Sequence, residues 1–127
     1  MRELERGSRR SAGREAHRAR YAAYMSSSAW RERRERFVDE YLEAHGSEPT
    51  CVVCGEPWRV ERDDLHHHHY DTLGEERFED LAPMCRADHE ALHSIMRGRA
   101  SWRRVNRAAA SKAITHRLIK QRGDGGQ

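Results

Sequence analysis

Two groups of residues in this chain have the types and spacing to do chemistry. Six of its nine histidines lie between Leu65 and His93, in the stretch LHHHHYDTLGEERFEDLAPMCRADHEALH. His89 and His93 are four residues apart, so on a helix their imidazoles share one side, the spacing that presents two nitrogens to one metal ion. The second group begins at Cys51-Val52-Val53-Cys54-Gly55, a CxxC knuckle. A redox pair has the same spacing but opens a helix in a βαβ unit, whereas here Gly55 and Pro57 follow, which favours two thiolates on one Zn²⁺. Such a site needs two more ligands. Cys85 supplies one, and the position completing a second CxxC is Asp88, an allowed but less usual zinc ligand. In a competing arrangement His89 joins the three cysteines.

These residues need elements to hold them. Ser28 is the expected N-cap of a helix that stops at Gly46. Its apolar face is Trp30, Phe37, Val38, Tyr41, Leu42 and His45, with Arg31, Arg33, Arg34 and Arg36 mostly elsewhere. Trp58 to Arg62 alternates apolar and polar residues and reads as a short strand. Leu65 to Tyr70 reads as a second extended segment, 71–80 as a polar loop around Gly74, and Leu81 to Met84 as the returning strand. Arg86 to Arg97 reads as a helix ended by Gly98. Ser101 caps a last helix to Gln121, with Trp102, Val105, Ala109, Ala113 and His116 on its inner face and basic residues over the rest. The expected class is α+β. Residues 1–23 form a basic, flexible and partly helical arm, 24–97 the domain, 98–122 a basic C-terminal helix and 123–127 a disordered tail.

Composition limits what the domain is built for. Hydrophobic residues make up 36% and charged residues 35% of the 127, so the core is small and a metal staple is expected. Three cysteines cannot all pair. With no signal peptide and no apolar run of about 18 residues, a soluble, intracellular (cytoplasmic) protein without a membrane partner is expected. The net charge of +3 conceals a strong pattern. Residues 1–36 hold 11 Arg against 5 Glu, residues 37–96 hold 4 Arg against 15 acids, and residues 97–127 hold 9 basic residues against one acid. An acidic centre between basic arms suits a polyanionic partner, and the dominance of Arg over Lys suits bidentate phosphate contacts.

Taken together, CxxC, L-HHxxY, L-G-x-E, D-L, C-x-x-x-H and a histidine four residues later resemble the zinc-stapled branch of the HNH endonucleases. The Tyr24–Trp30–Arg31–Arg34 run also resembles the helix that often precedes the knuckle in that family. The resemblance implies a small ββα-metal core and metal-dependent hydrolysis of DNA, with double-stranded DNA the expected form. Leu65 and Tyr70 set the register, placing the working pair at His66-His67 and leaving His68 and His69 at variable positions without a role. His66, His89 and His93 are then the ligands of one catalytic divalent ion (Mg²⁺, Mn²⁺, Ni²⁺ or Zn²⁺), His67 is the general base, and the ion stabilises the leaving 3′-oxygen. Asp80 stands in the slot of the family's middle Asn, whose work is to pin the loop and orient the base. Asp accepts those hydrogen bonds but, ionised, donates none. Cys51, Cys54, Cys85 and Asp88 are the expected ligands of a structural Zn²⁺. Arg31, Arg34, Arg103, Arg104 and Arg107 are the expected contacts to the DNA backbone. Two other readings compete: a non-catalytic zinc module that binds nucleic acid, and a metalloprotease using His89-Glu90-Ala91-Leu92-His93 as HExxH. The latter needs a third ligand downstream, at His116 or Asp124.

Overall fold

The computed structural model describes residues 2–125, with side chains described for residues 11–102 and 104–123. The chain runs through α1 (Arg2–Met25), α2 (Ser28–His45), β1 (Asp64–His67), a 3₁₀ turn at Phe78–Asp80, β2 (Leu81–Met84), α3 (Arg86–Gly98), α4 (Ala100–Arg103) and α5 (Arg107–Gly125). It is a mixed helix-and-strand fold with one two-stranded antiparallel sheet, in keeping with the α+β class. No helix among the described residues is long and apolar enough to cross a membrane.

The stretch read as a partly helical arm is helical through Met25. Ser27 ends one helix and begins the next. Its hydroxyl donates to the Tyr24 carbonyl at 2.6 Å and accepts from the Trp30 amide at 3.2 Å, so the N-cap of α2 is Ser27, one residue before the expected Ser28. At the other end Gly46 takes φ 72° and returns its amide to the Leu42 carbonyl, as the sequence indicates. The inner face of α2 differs from expectation. Trp30 and Phe37 are buried, but Leu42 is 49% exposed, and Arg33 takes the intervening buried position. Arg33 satisfies its donors there, with Nε on the Glu76 carbonyl at 3.0 Å and its fork on Glu40.

The segment Trp58–Arg62 is not a strand. Asp63 accepts the Arg59 amide on its carboxylate at 2.8 Å and returns its own amide to the Arg59 carbonyl, closing the segment into a turn before it can pair. The knuckle before it closes through a bridge between Thr50 and Pro57, with Gly55 at φ 77°, and is tied to β2 by the Val52 amide on the Pro83 carbonyl at 2.8 Å.

Strands β1 and β2 pair with Asp64 opposite Met84, Leu65 opposite Pro83, His66 opposite Ala82 and His67 opposite Leu81. Alternation along the strands sends Leu65, His67 and Leu81 to one face and Asp64, His66, Ala82 and Met84 to the other. The sheet therefore divides two cores. On one side Leu65 and Leu81 pack with Trp30, Phe37 and Trp58; on the other Ala82 and Met84 pack with Cys51, Val53, Leu92, Ile114 and Leu118.

The C-terminal region is two helices rather than one. The chain leaves α4 at Arg104, and Asn106 starts α5 by accepting the Ala109 amide on its side-chain oxygen at 3.0 Å. That break resets the helical phase. Ala110, Ser111, Ile114, Thr115 and Leu118 are buried, whereas Ala109, Ala113 and His116 do not share that inner face as a set and Val105 is 43% exposed. Helix α5 continues to Gly125, into the expected tail, and Gly126 and Gln127 lie outside the described residues.

Candidate metal centre

Strand β1 and helix α3 bring His66, His89 and His93 together. The Nε2 of His89 lies 3.1 Å from His66 Nδ1 and 3.0 Å from His93 Nε2. One ring nitrogen from each histidine falls within 4.8 Å of the others, a group able to hold a metal ion. Their outer nitrogens are engaged in a way that suits ligation. His89 Nδ1 sits 3.0 Å from Asp64 Oδ2, so the proton on Nδ1 is held by a carboxylate and the Nε2 lone pair faces the cluster. His66 Nε2 lies 2.7 Å from Ser111 Oγ, which leaves its Nδ1 facing the cluster. Burial, reinforced by the His89, His68 and His93 rings, pushes the His66 pKa down to about 2, and burial followed by His89 pushes that of His93 to about 4. Both are therefore neutral, the form a metal requires. Three imidazoles suit Zn²⁺, Ni²⁺, Cu²⁺ or Fe²⁺.

The second group is also assembled. Cys51, Cys54, Cys85 and Asp88 offer ligand atoms within 4.8 Å of one another. Asp88 Oδ2 lies 3.0 Å from the Cys85 sulfur and 3.4 Å from that of Cys51, occupying the fourth position; His89 is directed to the histidine group instead. The other Asp88 oxygen accepts from Arg122 Nη2 at 2.7 Å. Burial, then the bond to Asp88, pushes the Cys85 thiol up to about 12, so ligation there must expel protons. No disulfide competes: all three cysteines are free. Three sulfurs and one carboxylate oxygen fit a tetrahedral Zn²⁺.

His67 leaves β1 on the opposite face from His66. Its ring stacks on Trp30 at 4.7 Å between centroids, with Tyr21 and Tyr70 around it, and its side chain is 2% exposed. His67 Nε2 lies 2.7 Å from Glu76 Oε2, and the other Glu76 oxygen accepts from the Tyr24 hydroxyl at 2.8 Å. Burial opposes ionisation of Glu76, but the bonds from His67 and Tyr24 outweigh it and hold its carboxyl below the usual range.

Asp80 clasps the loop between the strands. Oδ2 accepts from the Thr72 hydroxyl at 2.7 Å and the Arg77 amide at 3.0 Å, and Oδ1 lies 3.0 Å from His69 Nε2. His68 and His69, given no role from sequence, both have partners: His68 Nδ1 lies 2.7 Å from Ser111 Oγ, and His69 meets Asp80. The expected DNA-contacting arginines divide. Arg31 and Arg104 are exposed. Arg34 donates to the Val60 and Asp63 carbonyls, and Arg107 donates to the Tyr70 hydroxyl at 2.8 Å with its guanidinium 4.3 Å above that ring. The side chain of Arg103 lies outside the described residues.

Asp64, Glu76, Ser111 and Arg122 do not stand out in the sequence as site residues. Asp64 has a signal there, since alternation along the strand places it beside His66. Ser111 has none, being 45 residues from its partner in a helix whose phase the sequence pattern misplaces. Comparison with known proteins finds no matching family model, no matching curated protein and no matching solved structure.

Proposed function

We propose that this chain is a metal-dependent endonuclease of the HNH type, with β1, β2 and α3 forming its ββα-metal core. The observation that carries the reading is the convergence of His66 Nδ1, His89 Nε2 and His93 Nε2 on a hairpin followed by a helix. The substrate proposed is the DNA backbone. A divalent ion held by these three residues would supply Lewis-acid neutralisation of charge on the leaving oxygen. His67 is the proposed base, the role in which an imidazole accepts a proton from water. Glu76 holds Nε2 of that ring, so Nδ1 is the nitrogen that takes the proton. The ring is buried against Trp30 of α2 and Tyr21 of α1, so this role requires that packing to open when substrate docks. Arg31 and Arg104 are the exposed candidates for the phosphates.

Supercoiled plasmid with added Mg²⁺, Mn²⁺, Ni²⁺ or Zn²⁺ tests the proposal, with wild type against His67→Ala. Nicking by wild type and its loss in the variant are expected. Equal nicking by both, or none by either with any metal, sinks it.

The near-complete burial of His67 favours a second reading, a metal-stapled module that binds nucleic acid without cutting it. Its signature is DNA binding that survives His67→Ala, with no cleavage by either protein.

A further inference from the structure

Both metal-ligand groups lean on the same helix. Helix α5 offers Ser111 to the histidine group and Arg122 to the cysteine group, although neither is a ligand. Ser111 is fully buried and its oxygen lies 2.7 Å from both His66 Nε2 and His68 Nδ1. A hydroxyl has one proton to give and lone pairs to receive, which fixes the order of these bonds. With the His66 Nδ1 lone pair turned to the cluster, the His66 Nε2 proton is donated to Ser111, and the Ser111 proton goes to His68 Nδ1. At the other end of α5, Arg122 takes Asp88 Oδ1, leaving Oδ2 among the thiols and offsetting the negative charge of three thiolates and a carboxylate.

We infer that α5 is the outer-sphere clamp of both metal sites, with Ser111 positioning His66 and Arg122 positioning Asp88, so that metal affinity and docking of α5 are coupled. The inference rests on reading the two groups as metal sites and is independent of whether DNA is cut. Outer-sphere partners of ligands are typically worth about 10–100-fold in metal affinity.

Titration of the full-length protein with Co²⁺ tests it, because thiolate-to-cobalt charge-transfer absorption reports the cysteine site separately from the visible bands of an all-imidazole site. Ser111→Ala is expected to weaken the histidine site about 10–100-fold and leave the charge-transfer titration unchanged. Arg122→Met is expected to do the reverse, with Arg122→Lys restoring part of the loss. The Arg122 side chain is 57% exposed, so its substitution removes no core packing, although it takes the charge partner from the buried Asp88. In the wild type, Zn²⁺ added to metal-free protein is expected to slow amide exchange along α5. Affinities within about twofold of wild type in both Ser111→Ala and Arg122→Met, against the larger loss that outer-sphere partners give, overturn the clamp, as does α5 exchange that ignores Zn²⁺. A wild type that takes up no Co²⁺ at either site overturns the metal reading itself, and the clamp with it.

Discussion

Asp80 shows how much one carboxylate decides. His69 Nδ1 accepts the Asp71 amide at 3.2 Å, so its proton sits on Nε2 and is donated to Asp80, while Thr72 and Arg77 donate to the other oxygen. All three partners are donors. An Asn in this place would turn its amide group toward one of them, so Asp80→Asn is expected to lose about 1–3 kcal/mol, read as a lower urea midpoint. Burial pushes this carboxyl up, but bonds from the Arg77 amide, Thr72 and His69 more than offset it and hold the pKa below its ordinary value. A group depressed on folding stabilises fully above its unfolded pKa of about 3.9 and loses that stabilisation as pH falls through the lower folded value. Wild-type stability is therefore expected to drop steeply on acidification below about pH 4, and the Asp80→Asn variant to show a shallower drop. A variant as acid-sensitive as wild type would remove Asp80 from this role.

At the scale of elements, α3 carries two of the three histidines and the Asp88 carboxylate, so its seating matters to both groups. Leu92 is fully buried against Met84, Ile114 and the knuckle residues. Leu92→Ala is expected to cost about 2–5 kcal/mol in denaturant unfolding and to weaken metal uptake at both sites. Loss at one site alone would show that the two are not seated by the same packing. The elements legible in the sequence are those with a periodic pattern and a clean stop, such as α2 ending at Gly46 and α3 ending at Gly98. The hairpin strand Leu81–Met84 is legible because the acid-rich loop before it ends abruptly in apolar residues. The departures have particular causes. Trp58–Arg62 has a strand's alternation but no partner strand, and Asp63 captures the amide that pairing would use. The inner face of α5 escapes the sequence pattern because Asn106 caps a new helix inside what reads as continuous. Arg33 reads as an outer-face residue because its charge hides its position in the stripe, between Trp30 and Phe37. Of the residues that converge in the two groups, His89 with His93 and the CxxC knuckle are legible from spacing, and His66 from the family resemblance. Their supporting partners Ser111 and Arg122 are not, because a pairing between residues so far apart along the chain leaves no local signal.

For the molecule as a whole, the small core and two groups able to hold a metal ion lead to the prediction that stability depends on metal. An ion that binds only the folded chain stabilises it by about 2.7 kcal/mol when present at roughly a hundred times its dissociation constant. Chelation should therefore lower the Tm and Zn²⁺ should restore it, while a Tm indifferent to chelator would mean that packing alone holds the two cores. The charge layout sets the complementary expectation for a nucleic-acid partner. Arginines already spent inside the fold cannot also serve phosphates. Arg34→Ala and Arg107→Ala, which free the carbonyls of Val60 and Asp63 and the Tyr70 hydroxyl, are expected to lower stability by about 1–3 kcal/mol. Arg31→Ala and Arg104→Ala remove exposed charge and are expected to leave the Tm unchanged. Each should instead weaken DNA binding evenly across sequences and reduce the slope of log affinity against log salt by about 0.9 for each phosphate that is no longer neutralised. Fluorescence anisotropy with duplex DNA over a salt series, set beside thermal unfolding of the same four variants, separates the two classes. If Arg31→Ala and Arg104→Ala leave the salt slope untouched, the DNA backbone does not lie along the exposed arginines of α2 and the α4–α5 turn.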